Sequence, residues 1–293
     1  LGSSLATTKL RNTGVLLQDQ IRIGEQWVVV AGLRHDRART NSDTDGVAAT
    51  RATPRTGTIS RDAVESADSL AFYAQNRFAI SERFAVTAGL RAESYEQTSK
   101  NKRAAANNKA DTSNTEILPG LGATYQISSG LQGFASVYKA FSPALNADAL
   151  NGLQDQKLDA ERSVNFEAGV RGAREQLSYE LTFFRMDFDN QIIPANSNSQ
   201  FQRTNGGETL HQGLEAALVW ELGAGFTWKS SATYIPDAEF VGDRRAANGT
   251  ITTPDGNRVT YVPEWVVNTS LEYQTGKLRT ALNRALDHLR QRA

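Results

Sequence analysis

The chain has 293 residues, 39% of them hydrophobic, and its 32 basic and 32 acidic side chains give a formal net charge of zero. This balance argues against a nucleic-acid-binding protein, which would carry a basic excess. The absence of cysteine excludes disulfides, zinc–thiolate sites and thiol nucleophiles. No apolar run approaches the length of about 20 residues that a membrane helix needs. A transmembrane β-barrel remains compatible with this composition, because its strands alternate lipid-facing and lumen-facing residues.

Apolar and polar residues alternate with a period of two along most of the chain, which predicts about a dozen strands joined in hairpins. Each predicted strand is close to the length of about 9–11 residues that a tilted strand needs to cross a bilayer. The predicted hairpins, with their turns in parentheses, are 14–39 (24–26), 70–93 (81–83), 117–141 (128–130), 161–190 (173–175), 211–234 (223–225) and 263–283 (275–276).

The connections between these hairpins are long and polar, in contrast to the short turns within them. They cover residues 41–68, 99–114, 142–159, 191–209 and 235–262. Outer-membrane barrels have short periplasmic turns and long extracellular loops. A soluble β-sandwich gives the same alternation of faces, but it has no reason to keep every long loop at one end. The sequence therefore predicts an all-β, antiparallel transmembrane barrel.

The two faces of the predicted strands support this fold class. Charged residues in mid-strand, such as Arg91 and Glu93, fit a wet lumen, because lipid penalises a charge by about 2–4 kcal/mol. Trp27, Trp220 and Trp265 lie near predicted strand ends, where an interfacial aromatic belt is expected.

Several segments together resemble the barrel of TonB-dependent receptors, most closely the siderophore and ferric-citrate type. Their order and spacing carry the resemblance across the chain to about residue 283. The segments are Gly32–Asp36, Gly89–Glu93, Leu118–Tyr125, Phe134–Pro143, Ala160–Val170, Leu181–Ile192 and Gln212–Glu215.

This resemblance implies a bacterial outer-membrane barrel of about 22 strands, filled by an N-terminal plug domain. The plug carries a short box that contacts TonB, so TonB would be a partner only through a plug, which we expect to lie outside this sequence. The other implied partners are outer-membrane lipid and a ferric chelate. Iron would enter only within that chelate, and no cofactor is expected.

Residues 1–283 are then expected to form a partial barrel. The remaining segment, 284–293, has helical spacing and a basic charge, which predicts an atypical tail. The first residues show no signal peptide, although an outer-membrane protein needs one. We therefore expect a truncated, frameshifted, split or artificially shortened product that transports nothing alone. Its unpaired strand edges predict poor insertion and aggregation.

An anionic ferric chelate would be bound by arginines, hydrogen-bond donors or aromatic rings near the extracellular loops. For any single loop residue, a simpler interpretation is a solvated charge or a surface ion pair. The candidates by position are Arg11, Arg37, Arg39, Gln200, Arg203, Arg244 and Arg245.

Catalysis and direct metal binding are not predicted. His35, His211 and His288 do not form a pair with metal-ligand spacing. A barrel phospholipase would need serine, histidine and asparagine within hydrogen-bonding reach, and nothing in the sequence places them so. The glycines near residues 130 and 224 suit hairpin turns and not phosphate-binding loops.

Two alternatives to a receptor remain at this stage. A passive porin could close with an even number of strands near twelve. A non-functional remnant would have the same strands and no transport role.

Overall fold

The computed structural model describes residues 3–47, 59–102, 109–143, 160–193, 204–245, 251–259 and 262–288. Within these ranges no helix is long and apolar enough to cross a membrane. The strands are β1 (Ser3–Ile23), β2 (Trp27–Val47), β3 (Ile59–Ala79), β4 (Phe84–Asn101), β5 (Lys109–Ser128), β6 (Leu131–Ser142), β7 (Glu161–Arg174), β8 (Leu177–Ile193), β9 (Thr204–Gly223), β10 (Phe226–Val241), β11 (Arg244–Arg245), β12 (Ile251–Thr253), β13 (Trp265–Thr275) and β14 (Leu278–His288).

Twelve of these strands form one antiparallel sheet in chain order, from β1 to β10 and then β13 and β14. Strands β11 and β12 pair separately as a small two-stranded sheet. The all-β antiparallel fold is therefore confirmed. Among the described strands, β1 pairs only with β2 and β14 only with β13, so the sheet is open. The described residues do not form the closed barrel of twelve strands that a porin would need.

The hairpin turns lie where the sequence predicted them, with one small shift. Strand β7 continues through Arg174, so the third turn is formed by Glu175 and Gln176 and not by residues 173–175. Positive φ angles at Gly223 (87°), Ala224 (50°) and Gly225 (85°) reverse the chain between β9 and β10. Glycine adopts this left-handed region without the steric cost that a Cβ imposes.

The strands are longer than predicted. Strands β1, β2 and β3 each have 21 residues, which corresponds to about 70 Å of extended chain. The apolar belt of an outer-membrane barrel is only about 25 Å tall. The strands therefore continue well beyond the lipid into segments that the sequence predicted as loops, as at Val47, Asn101 and Val241. The middle of each predicted loop lies outside the described residues, except for 251–259.

One face of the sheet is apolar and exposed. Leu17 and Phe72 are 71% and 59% exposed, and the register places them on the same side as the other large outward residues. An apolar surface of this extent is typical of a lipid-facing wall. Exceptions include Asp19 on the outward face and Leu10, Leu16 and Val219 on the inward face. Other large apolar residues exposed on the outward face are Val15, Ile21, Leu70, Leu90, Ile117, Leu121, Phe166, Leu181, Phe183, Leu214, Leu271, Leu278, Leu282 and Leu286.

Aromatic pairs border this apolar face above and below. At the turn end, Trp27 contacts Phe78 and Phe226 contacts Tyr273, each with ring centroids 4.6 Å apart. At the loop end, Tyr234 stacks on Trp265 at 4.3 Å. The strand from Trp265 to Tyr273 covers about 27 Å before tilt is considered, close to the height of a lipid-facing belt.

The predicted helical tail is wrong over its first five residues. Residues 284–288 belong to β14, which pairs with β13 along its whole length from Leu278 to His288. Residues 289–293 lie outside the described residues.

Candidate functional site on the lumenal face

The opposite, lumenal face of β1–β4 carries a network of paired polar side chains. The Arg34 guanidinium donates to the Asp36 carboxylate, with Nη2 3.1 Å from Oδ1. Glu93 accepts from Arg91 Nε at 2.9 Å and from the Ser69 hydroxyl at 2.5 Å. Its carboxylate is only 12% exposed, so these donors replace lost water.

The network continues over β5–β7. Arg162 donates to Glu116 through both Nε (2.9 Å) and Nη2 (2.7 Å), in a two-point geometry that favours arginine. The Tyr138 hydroxyl donates to Glu167 at 2.8 Å. These contacts hold inward polar groups in fixed positions, as a lumen lining requires.

A cavity of about 430 Å³ opens near the loop end of this face. Tyr95 and Phe141 stack in it with ring centroids 5.6 Å apart and an angle of 21° between the planes. The amides of Asn12 and Gln97 also line it, together with Arg34, Asp36, Arg37, Asp68, Ser69 and Glu93. Because its arginines and carboxylates pair with each other, the cavity presents aromatic and amide surface and no strong positive charge.

A second inward cluster lies on β8 and β9, beyond the Tyr234–Trp265 pair at the loop end. His211 contacts the Phe188 ring edge-on at 5.4 Å. Burial lowers the pKa of His211 and the charge of Arg258 lowers it further, so the ring is neutral at pH 7. Arg258 donates to the backbone oxygens of Pro236 (2.8 Å) and Ile235 (2.9 Å), which holds the chain after β12 against β10.

The arginines predicted as ligand contacts take other positions. Arg11 and Arg39 lie within β1 and β2 and face each other directly across the strand pair. Arg37 pairs with Asp68, with Nε 3.6 Å from Oδ1. Strand alternation puts all three on the same side as Leu33, opposite to Arg34. Arg37 borders the 430 Å³ cavity; Arg11 and Arg39 do not line it.

The other candidates cannot be placed in a site. Gln200 and Arg203 lie outside the described residues. Arg244 and Arg245 form β11, paired with Thr253 and Ile251. The assignment of these residues to ligand binding stays a prediction.

His35 and His211 lie on opposite faces of the sheet. His35 lies on the outward face with Nε2 3.9 Å from Asp68, whereas His211 faces the lumen. Among the described residues no group of three or more histidine, cysteine, aspartate or glutamate side chains could hold a metal ion.

Several inward residues of the cavity were not singled out from the sequence. Arg34, Tyr95 and Gln97 share the strand parity of the polar face, so the alternation itself could have identified them. Phe141 could not be found this way, because its contact with Tyr95 depends on how β6 departs from β5 beyond the Gly120–Tyr138 pair.

The chain matches the family described as TonB dependent receptor-like, beta-barrel over residues 48–291, most of its length. It belongs to the TonB-dependent receptor β-barrel family. Members of this family are outer-membrane β-barrel proteins, and the lipid-facing and lumenal faces of this chain agree with that location.

Two curated receptors show the relationship within the family. The chain is 25% identical to the ferrienterobactin receptor of Escherichia coli K12 over 241 residues, covering 74% of this chain and 29% of the receptor. It is 28% identical to the ferric enterobactin receptor PirA of Pseudomonas aeruginosa over 131 residues, covering 42% of this chain and 16% of the receptor. The chain therefore spans well under half of these relatives.

Solved structures share the fold. The ferric citrate transporter FecA in its unliganded form superposes with a TM-score of 0.73 and 21% identity, over 97% of this chain and 42% of that chain. The ferric yersiniabactin uptake receptor FyuA of Yersinia pestis gives a TM-score of 0.70 and 19% identity, over 98% of this chain and 44% of that chain. At such identities the likeness shows the fold alone.

Proposed function

We propose that the protein carrying this chain is an outer-membrane receptor that captures a ferric chelate for TonB-dependent uptake. The chain supplies part of the barrel wall, and TonB acts through a plug domain outside this sequence. The protein acts as a transporter and not as an enzyme. Curated relatives named for ferric enterobactin support the ligand class.

The observation that carries the proposal is the lumenal cavity with the Tyr95–Phe141 stack. It lies toward the loop end, where an external ligand arrives first. Aromatic rings stack well on other aromatic rings, with about 0.5–1.5 kcal/mol beyond simple burial. A catecholate chelate offers such rings, whereas ferric citrate offers none. Because the Tyr95–Phe141 stack offers aromatic surface, we favour a catecholate over a citrate complex.

The test is a change that removes the Phe141 ring and keeps apolar bulk. In the full outer-membrane protein, Phe141→Leu should weaken binding of ferric enterobactin about 3- to 10-fold, because one stacking partner is lost. Quenching of intrinsic tryptophan fluorescence measures the Kd. Ferric citrate serves as the second probe, and its binding should not change.

Phe134→Leu is the matched control. Phe134 lies on the same strand, nearer the turn, where Arg171 covers its ring at 5.4 Å. This variant should bind like the unmodified protein. If neither chelate binds the unmodified protein, the proposed function is wrong. If Phe134→Leu weakens binding as much as Phe141→Leu, the cavity is not the ligand site.

A further inference from the structure

The connection between β10 and β13 folds back along the edge of β10. Strand β13 pairs with β10 only as far as Tyr234. Beyond that point residues 254–259 run antiparallel to β10, and Val259 N donates to Ala238 O at 2.7 Å. We refer to residues 254–259 as the return strap. It lies on the loop side of the loop-end aromatic pair and therefore outside the apolar belt.

The side chain of Arg258 fastens the return strap to β10. Its Nη1 donates to the Pro236 oxygen at 2.8 Å, and its Nη2 donates to the Ile235 oxygen at 2.9 Å. Both acceptors lie where the β9–β10 register shifts. Hydrogen bonds from a charged donor are stronger than those between neutral groups. Within the described residues Arg258 forms no ion pair, so this latch is sensitive to a positive charge added beside it.

His211 is the titratable group next to the latch. It lies on β9 directly opposite Ala238, the residue to which the return strap is hydrogen-bonded. Its ring is half-buried and contacts the Phe188 ring edge-on, with centroids 5.4 Å apart. Burial lowers the pKa of His211, and the charge of Arg258 lowers it further. A proton on His211 would therefore put a second positive charge into a poorly hydrated position beside Arg258.

The other charged groups near the return strap keep their charge when histidine titrates. Free aspartate and glutamate take up protons near about pH 4, whereas free histidine does so near about pH 6.5. Arginine stays charged throughout this range. On the described elements around His211, these groups are Arg185, Asp187, Asp189, Glu208, Asp237, Glu239, Asp243, Asp255 and Glu264.

We propose that the return strap is released from β10 in an acidic medium, when His211 takes up a proton beside Arg258. The attached strap favours neutral His211, so proton uptake favours release. Attachment is then constant above about pH 6.5 and weakens below it, by at most about tenfold per pH unit. Receptor barrels turn their long loops to the external medium, so the return strap meets the pH outside the cell. This response does not depend on which chelate the lumen takes.

Hydrogen–deuterium exchange of the full outer-membrane protein in neutral detergent tests the proposal. Amides of residues 235–241 and 254–259 should exchange about 3- to 10-fold faster at pH 5.5 than at pH 7.5, after correction for intrinsic exchange. Amides in the paired part of β5 and β6 give the internal reference, because neither strand contains histidine. Their corrected exchange should not change with pH.

His211→Gln should remove the acid response of the return strap, because glutamine takes up no proton. His35→Gln is the matched control, since His35 is exposed on the outward face of β2. It should respond to acid like the unmodified protein. Heat-modifiable migration in gel electrophoresis shows that each variant has formed its barrel.

Arg258→Gln tests the latch itself. At pH 7.5 the return strap of this variant should exchange about 10-fold faster than in the unmodified protein, because the charged donor to two backbone oxygens is lost. The β5–β6 reference amides should stay as they are.

Three results would overturn the proposal. The first is equal corrected exchange of the return strap at the two pH values. The second is an acid response that survives in His211→Gln. The third is unchanged exchange of the return strap in Arg258→Gln, which would show that other contacts hold it.

Discussion

Arginine in place of Leu90 will destabilise the protein in a bilayer by about 2–4 kcal/mol, because it puts a charge near the middle of the lipid-facing belt. Leu90 is 52% exposed and pairs with Ala74 and Pro119 on the outward face. Urea unfolding in phosphatidylcholine vesicles measures the free energy of unfolding. In a soluble β-sandwich the new arginine would lie in water or in a dry core, and the loss of free energy of unfolding would not depend on lipid.

Gln75→Arg provides the control on the lumenal face. Gln75 pairs with Gly89 at nearly the same height and is exposed toward the lumen. This variant should change the free energy of unfolding by less than about 0.5 kcal/mol. Equal losses of free energy of unfolding for the two variants would contradict a difference between the two faces. A larger loss for Gln75→Arg would show that the outward and lumenal faces are assigned the wrong way round.

Gly213→Ala should cost about 1–3 kcal/mol by overpacking a close strand contact. A Cβ at Gly213 would collide with the backbone oxygen of Tyr234 and approach the Phe184 ring at 3.0 Å. Gly213 lies where the β9–β10 register shifts between Tyr234 and Asp237, so the close approach of the Tyr234 backbone is part of this bulge. Thermal unfolding in detergent gives the loss as a lower Tm.

Gly122→Ala is the matched control, because it also lies in mid-strand. A Cβ there would meet Ala135 O at 3.6 Å and Ser136 Cβ at 3.7 Å, which are ordinary contacts. The variant should be neutral or slightly more stable, since alanine loses less backbone entropy than glycine on folding. If both glycine variants lose the same stability, the close approach at Gly213 is not responsible.

The alternation of residues was sufficient to predict the sheet and its turns. A lipid-facing strand must be apolar at every second position, and Leu70, Phe72 and Leu90 follow this rule closely enough to set the register. Glycines with positive φ then mark the reversals, as at Gly225. These signals are local, so one sequence is enough to show them.

The tail was mispredicted because its spacing fits two structures. Leu286 lies four residues after Leu282, in the strand predicted before the tail, and a spacing of four suits one face of a helix and also one face of a strand. Pairing with β13 decides for the strand. This contact comes from another segment and cannot be seen within the tail.

The side-chain contacts of the lumenal cavity could not be derived from the sequence as the strands could. Arg11, Arg37 and Arg39 were chosen for their closeness to loops, although the period of two puts them on the outward side. Contacts such as Arg162 with Glu116, 46 residues apart, depend on the exact pairing of three strands. No local pattern contains that information.

Cysteine labelling of intact cells tests directly which end of the barrel faces the outside of the cell. The chain has no cysteine, so single substitutions report cleanly. Cysteine at Lys102 or Lys109, at the loop end, should react with a membrane-impermeant maleimide. Cysteine at Glu25 or Glu82, at the turn end, should react only after the outer membrane is permeabilised. Labelling of the turn positions in intact cells would contradict the account.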